Sequence, residues 1–273
     1  EYIGTLAANG KTTAMQYYSC SGWCSHHNID IWAKTAPFTN FFEASRWGLW
    51  PMSGAWLCLH IFEHYRYTND VEFLRKYYRI ICGSVSFILD WLVEHDGEYV
   101  TCPSISPENR YYDKNGSSCS VTYSSAMDIA IIKDLFSEFK KASALLNEEN
   151  ELIQRVVLAE KKLSDFKISD SGLLQEWSED FEETEPGHRH LSHLFGIYPG
   201  NSVTEKGTPE LYCAARKSLD RRIANGGGHT GWSAAWIANL YAEFKDGENT
   251  WRFIKRMITD STYSNLFDKH PPF

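Results

Sequence analysis

Apolar side chains return every three to four residues along "SGAWLCLHIFEHYRYTND" (53–70), where Trp56, Leu57, His60, Ile61, His64 and Tyr65 fall on one stripe before a polar turn. That period predicts an amphipathic helix, because side chains three and four residues apart share a helical face. "VEFLRKYYRIICGSVSFILDWLVEHD" (71–96) keeps the period, so the two stretches predict an antiparallel helix pair. "SSAMDIAIIKDLFSEFKKASALLN" (124–147) and "EENELIQRVVLAEKKLSDF" (148–166) predict a second pair. "TPELYCAARKSLDRRIA" (208–224), "GWSAAWIANLYAEFKD" (231–246) and "GENTWRFIKRMITD" (247–260) continue the pattern. No series of short alternating strands shows between these runs. The expected fold class is all-α, built of helical hairpins.

Some connections are short polar turns such as "TND", but others are long and crowded with hydrogen-bonding and aromatic side chains. The crowded ones are "CSGWCSHHNIDIWAKTAPF" (20–38), "TCPSISPENRYYDKNGSSCS" (101–120), "LLQEWSEDFEETEPGHRHLSHLFGIYPGNS" (173–202), "NGGGHTGW" (225–232) and "NLFDKHPPF" (265–273). Loops of this length and richness are usually functional. Hairpins wound round a common axis would gather them at one end to line a pocket, the geometry of an α/α toroid.

Composition narrows the classes. A length of 273 residues gives ample capacity for a core. A formal charge of -8 with no lysine/arginine block argues against a nucleic-acid partner. No apolar run approaches the roughly 20 residues of a membrane span, and "EYIGTLAANGKTTA" lacks the basic-then-apolar layout of a signal peptide, so the chain reads as soluble and not membrane-inserted. The seven cysteines include no CxxC pair and read mostly as small buried hydrophobes, which leaves the redox compartment open. Ten Trp, 15 Tyr and 15 Phe supply faces that either fill a core or stack on sugar rings.

The loop segments carry a more specific signal. "GWCSHHNIDIW", "WPMSGAWLCLHIFEHY", "PSISPEN", "LQEWSEDFEETEPGHRHLSHLFGIYPGN", "HTGWSAAWIANLYAEFKDGE" and "NLFDKHPPF" resemble, in order and over nearly the whole chain, glycoside hydrolase family 95, the α-L-fucosidases acting on α-1,2-linked fucose. The resemblance implies an (α/α)6 barrel with a carbohydrate pocket, hydrolysis of terminal α-1,2-linked L-fucose with inversion, and a fucosylated glycan as partner. It implies no cofactor. A secreted, periplasmic or cell-surface location follows only from the family, and oligomeric state is open. In the family an asparagine pair upstream of the "HHN" region and an aspartate directly after "HPPF" activate the water. This chain begins after the first and stops before the second. Residues 1–273 are therefore expected to form part of a single (α/α)6 catalytic domain, a toroid incomplete at both ends, with little or no turnover alone.

Inversion needs one carboxylic acid to protonate the departing oxygen and a separate base to activate water on the opposite ring face. Glu108, in "SPEN", fits the acid, with Pro107 stiffening its turn; a solvated glutamate is the alternative without the motif. In "GHRHLSHL" (187–194) the HxHxxH spacing lacks the helical HExxH arrangement of a zinc site, so no metal is expected. By resemblance Arg189 and His190 donate hydrogen bonds to sugar hydroxyls, while His188 and His193 brace the loop; satisfied structural histidines are the alternative. His27, Asn28 and Trp50 join the sugar-binding set, beside His26 and Asp30 and with Trp23 and Trp32 as stacking faces. His270 stands where a family histidine contacts fucose. His229 lines the same mouth unless it serves helix capping with Thr230. A carbohydrate-binding or inactive toroid that keeps the pocket without turnover is the second function class; a toroid lyase or phosphorylase, lacking the "SPEN" acid, is the third.

Overall fold

The computed structural model describes residues 1–38 and 44–269. Among these the helices are α1 (Tyr2–Tyr18), α2 (Ala44–Gly48), α3 (Ser53–Thr68), α4 (Val71–Trp91), α5 (Ala126–Leu146), α6 (Glu151–Glu160), α7 (Pro209–Ala224), α8 (Gly231–Glu243) and α9 (Gly247–Asp260). Short strands intervene: β1 (Leu92–His95), β2 (Glu98–Thr101), β3 (Ser104–Ile105), β4 (Tyr111–Tyr112), β5 (Ser118–Cys119), β6 (Val121–Thr122) and β7 (Glu182–Glu183). The chain is mostly helical, and its contacts divide it into two compact units, Glu1–Ile105 with Val121–Asp165 and Ser106–Ser120 with Phe166–Phe273.

In the first unit α3 and α4 form the expected hairpin. Asn69 ends α3 in the left-handed region (φ 54°), and the Asp70 carboxylate caps α4 by accepting from the Phe73 amide at 2.9 Å. The buried side of α3 is not the stripe of large residues the pattern suggests: Gly54, Ala55, Cys58, Ile61 and Phe62 face inward, and His60 and His64 are exposed. The reason is Trp23. Its buried indole donates to the Ile80 carbonyl at 2.8 Å and lies against Gly10 of α1, Gly54 of α3 and Gly83 of α4. A Cβ at Gly54 or Gly83 would stand 2.7 Å from the ring, so small residues must occupy that face. Trp23 is therefore a core residue and not a stacking face for sugar.

The same preference hides α1 from the apolar pattern. Its buried positions, Leu6, Ala7, Gly10, Thr13 and Ala14, keep helical spacing but are mostly small. By contrast α5 is buried on nearly every side, from Ala126 through Leu146. Helix α4 stops at Trp91, short of the expected 96, because Asp96 and Gly97 (φ 52° and 85°) make a two-residue primed turn that pairs β1 with β2, His95 opposite Glu98. Helix α6 likewise covers only the middle of 148–166.

In the second unit β4 pairs on one side with β5 and on the other with β7, Tyr111 lying opposite both Cys119 and Glu183. This joins the acidic segment to the chain just after "SPEN". Helices α8 and α9 pack as a hairpin whose link ends on Asp246, the cap of α9, which accepts from the Asn249 amide at 3.0 Å and from Arg216 Nη2 at 2.8 Å. Of the cysteines, Cys20, Cys24 and Cys58 are buried as expected, whereas Cys102 and Cys213 are exposed. Among the described residues no helix is long and apolar enough to cross a membrane.

Candidate active site

Glu108 sits at the tip of a tight turn closed by the Asn109 amide, which donates to the Ser106 carbonyl at 2.8 Å. The chain that carries the histidine cluster holds this turn from the other side. Ser192 Oγ donates to the Pro107 carbonyl, and His190 Nδ1 reaches the same oxygen at 3.2 Å. A carbonyl only accepts, so His190 carries its proton on Nδ1 there, and Nε2 points to the carboxylate, 3.9 Å from Glu108 Oε2. Arg189 Nη2 donates to that oxygen at 2.5 Å. The Glu108 side chain is 17% exposed and that of Arg189 29%, so the pair is half-buried with access to a ligand. Its neighbours are thus a guanidinium and an imidazole, both able to hydrogen-bond the hydroxyls of a ligand.

An aromatic lip completes this arrangement. Trp232, in the first turn of α8, is 42% exposed and stands edge-on to His190 at 5.1 Å between ring centroids. It leans on Trp236, whose indole donates to the Tyr198 carbonyl at 2.7 Å. Thr230 caps the helix by accepting from the Ser233 amide at 3.4 Å, and Ser233 Oγ donates to the Arg189 carbonyl at 2.6 Å, so the start of α8 is tied to the arginine. The cap falls to Thr230, and His229 is exposed just before it.

Behind the turn lies a buried ion network that the sequence pattern does not single out. Arg222 of α7 is 2% exposed and donates from Nη2 to Glu176 Oε2 at 2.8 Å, with Glu183 Oε2 3.0 Å away. Its Nη1 donates to the His190 carbonyl at 2.9 Å. Glu176, 5% exposed, also accepts from Ser106 Oγ at 2.7 Å and from Asn109 Nδ2 at 3.2 Å. His193 Nδ1 stands 3.5 Å from Glu176; burial first, and then the Arg222 charge, push its pKa down to about 3, so the contact is with a neutral ring. The buried His188 accepts the His190 amide on Nδ1 at 3.0 Å. Among the described residues no three His, Cys, Asp or Glu side chains converge in a metal-holding group.

Glu108, Arg189 and His190 are thus brought together. His27, Asn28 and Trp50 belong to the first unit and form their own environment. His27 and Asn28 are half-buried, and burial, then the neighbouring His26, lowers the His27 pKa to about 4. Trp50 is 2% exposed and edge-on to His27 at 6.0 Å, so it supports that histidine and offers no open face. Its indole donates to Asp128 Oδ1 at 2.7 Å, while Asp128 Oδ2 accepts from Thr101 and Ser104 at 2.9 and 2.7 Å. His26 is structural, bonded to Tyr18 Oη at 2.6 Å and to the Thr35 carbonyl at 2.8 Å. Asp30 orders its own turn through the Trp32 and Lys34 amides, leaving Trp32 79% exposed. His270 lies outside the described residues.

A half-buried carboxylate flanked by a guanidinium, an imidazole and an exposed indole suits a polyhydroxylated ligand, since each group either exchanges hydrogen bonds with hydroxyls or covers an apolar ring face. The glycosyl hydrolase family 95 catalytic domain matches residues 1–273, and the chain belongs to that family. It is 45% identical over its full length to a protein named alpha-L-fucosidase 2 from Arabidopsis thaliana, covering 33% of that protein. Over 98% of its length it is 24% identical to a probable alpha-fucosidase A from Aspergillus niger, covering 34% of it. The chain therefore spans about a third of the length of the relatives it matches.

Proposed function

We propose that the protein to which this chain belongs hydrolyses terminal α-1,2-linked L-fucose from oligosaccharides or glycans, inverting the anomeric carbon. The observation that carries the reading is the contact of Arg189 and His190 with Glu108, at 2.5 and 3.9 Å, in a member of this family. Glu108 is the general acid. On binding, the sugar's hydroxyls hydrogen-bond Arg189 and His190, and the Glu108 carboxyl, protonated from solvent, passes its proton to the leaving oxygen as the glycosidic C–O bond breaks and water adds to the anomeric carbon. The hairpins are part of a single (α/α)6 catalytic domain. That assignment draws its support from family membership and from the αα-hairpins, α3 with α4 and α8 with α9.

The test is incubation of the full-length protein with a 2'-fucosylated oligosaccharide, following free L-fucose and its anomeric form as released. Free fucose appearing first as the inverted anomer is expected. Saturable sugar binding without any release would instead mark a binding module.

A further inference from the structure

We propose that Glu176 and Arg222 are positioning residues for proton transfer, the two members of the buried ion network that fix Glu108 and Arg189 against each other. The proposal rests on the catalytic reading above and extends it to two side chains placed behind the contact pair. Glu176 holds the residues on both sides of Glu108, accepting from Ser106 Oγ at 2.7 Å and from Asn109 Nδ2 at 3.2 Å. Arg222 holds the residues on both sides of Arg189, donating to the His190 carbonyl at 2.9 Å and lying 3.5 Å from that of His188. The two are joined at 2.8 Å, with side chains only 5% and 2% exposed. The turn that carries the acid and the loop that carries the arginine are therefore built on one pair of charges.

Stability alone is a poor account of such a pair. Replacing a buried ion pair by well-packed apolar side chains is often neutral or stabilising, because two charges lose their hydration. What charges supply that apolar groups cannot is direction: forked, charge-assisted hydrogen bonds fix the orientation of everything attached to them. A general acid depends on that, since it works within about 2.6–3.2 Å of the atom it protonates, and a misplacement of about 1 Å can lower the rate about 100-fold.

The experiment uses the full-length protein and two substrates, a 2'-fucosylated oligosaccharide whose leaving group needs a proton and fucosyl fluoride, whose leaving group needs little. Glu176→Gln leaves Arg222 with Glu183 as a countercharge, which favours folding. A double variant, E176Q with R222M, removes both charges together, so that neither is stranded if the single variant fails to fold. Arg222→Lys keeps the charge but loses the fork. In each folded variant kcat should fall about 10- to 100-fold on the oligosaccharide and by less than about threefold on the fluoride, with any rise in KM shared by the two substrates. Equal losses on both substrates, or an unaltered oligosaccharide rate in a variant whose melting shows the network disturbed, would overturn the proposal. No turnover of either substrate by the unsubstituted protein would instead remove the catalytic reading beneath it.

Discussion

At the scale of single residues, Glu108 carries the sharpest demand. If it protonates the leaving oxygen, Glu108→Gln keeps the shape and most of the sugar contacts while removing the proton. Turnover of a fucosylated oligosaccharide by the full-length protein should drop by about two to four orders of magnitude, and far less for fucosyl fluoride. Thermal unfolding provides the control: a structural glutamate would lower the melting temperature and slow both substrates alike. Glu108, Arg189 and His190 were legible because they stand in recognisable short segments, "SPEN" and "HRH". Glu176 and Arg222 were not, since a glutamate in "EWSEDFEE" and an arginine in "SLDRRIA" look like ordinary solvated charges, and such residues are almost never fully buried unless paired. Only their meeting in space shows that they are paired. Trp23 illustrates the reverse case, an indole whose type suggests sugar stacking but whose burial makes it core.

At the scale of elements, the long helices follow from apolar period, and α1 and the buried side of α3 depart from it for one reason. Pattern reading weighs large apolar residues, whereas the close approach of α1, α3 and α4 around Trp23 selects small ones. That is why α1 lacks a stripe of large apolar residues and why the buried side of α3 begins with Ser53, Gly54 and Ala55. The strands after α4 had a signal of their own, Asp96–Gly97, which outweighs the helical continuation of "DWLVEH" because both residues adopt positive φ. The packing makes a prediction with an unusual sign. Glycine to alanine inside a helix ordinarily stabilises by about 1 kcal/mol. At Gly83 the new methyl would stand 2.7 Å from Trp23 Cδ1, and overpacking of this kind costs about 1–3 kcal/mol. Gly83→Ala should therefore lower the melting temperature, and the Trp23→Phe background, with a smaller ring, should recover part of the loss. A Gly83→Ala variant that melts higher would mean the slot is loose.

At the scale of the whole molecule, buried titratable groups set the response to pH, and nothing in the sequence told which histidines they would be. Burial lowers the pKa of His26 and His27 from 6.5 to about 4 and that of His193 to about 3. Each contributes stability that is present above pH 6.5 and lost on acidification, because the unfolded chain takes up a proton that the folded ring resists. Asp128 acts oppositely. Burial raises its pKa from 3.8 to about 6, so its burial penalty is full above pH 6 and is relieved as the folded carboxyl protonates. Near pH 5, unfolding should thus take up three protons at the histidines and release one at Asp128, a net of about two, and stability should fall by about 3 kcal/mol per pH unit of acidification from these four groups. That corresponds to several degrees of melting temperature per unit. Two substitutions separate the contributions by sign. His193→Asn should flatten the melting curve between pH 6.5 and 4.5 by about one proton's worth, whereas Asp128→Asn should steepen it by about the same amount, whatever either does to stability at a single pH. Melting the full-length protein and both variants across that range decides the matter, and slopes that shift in the same direction would show that burial does not govern the titration of one of these groups.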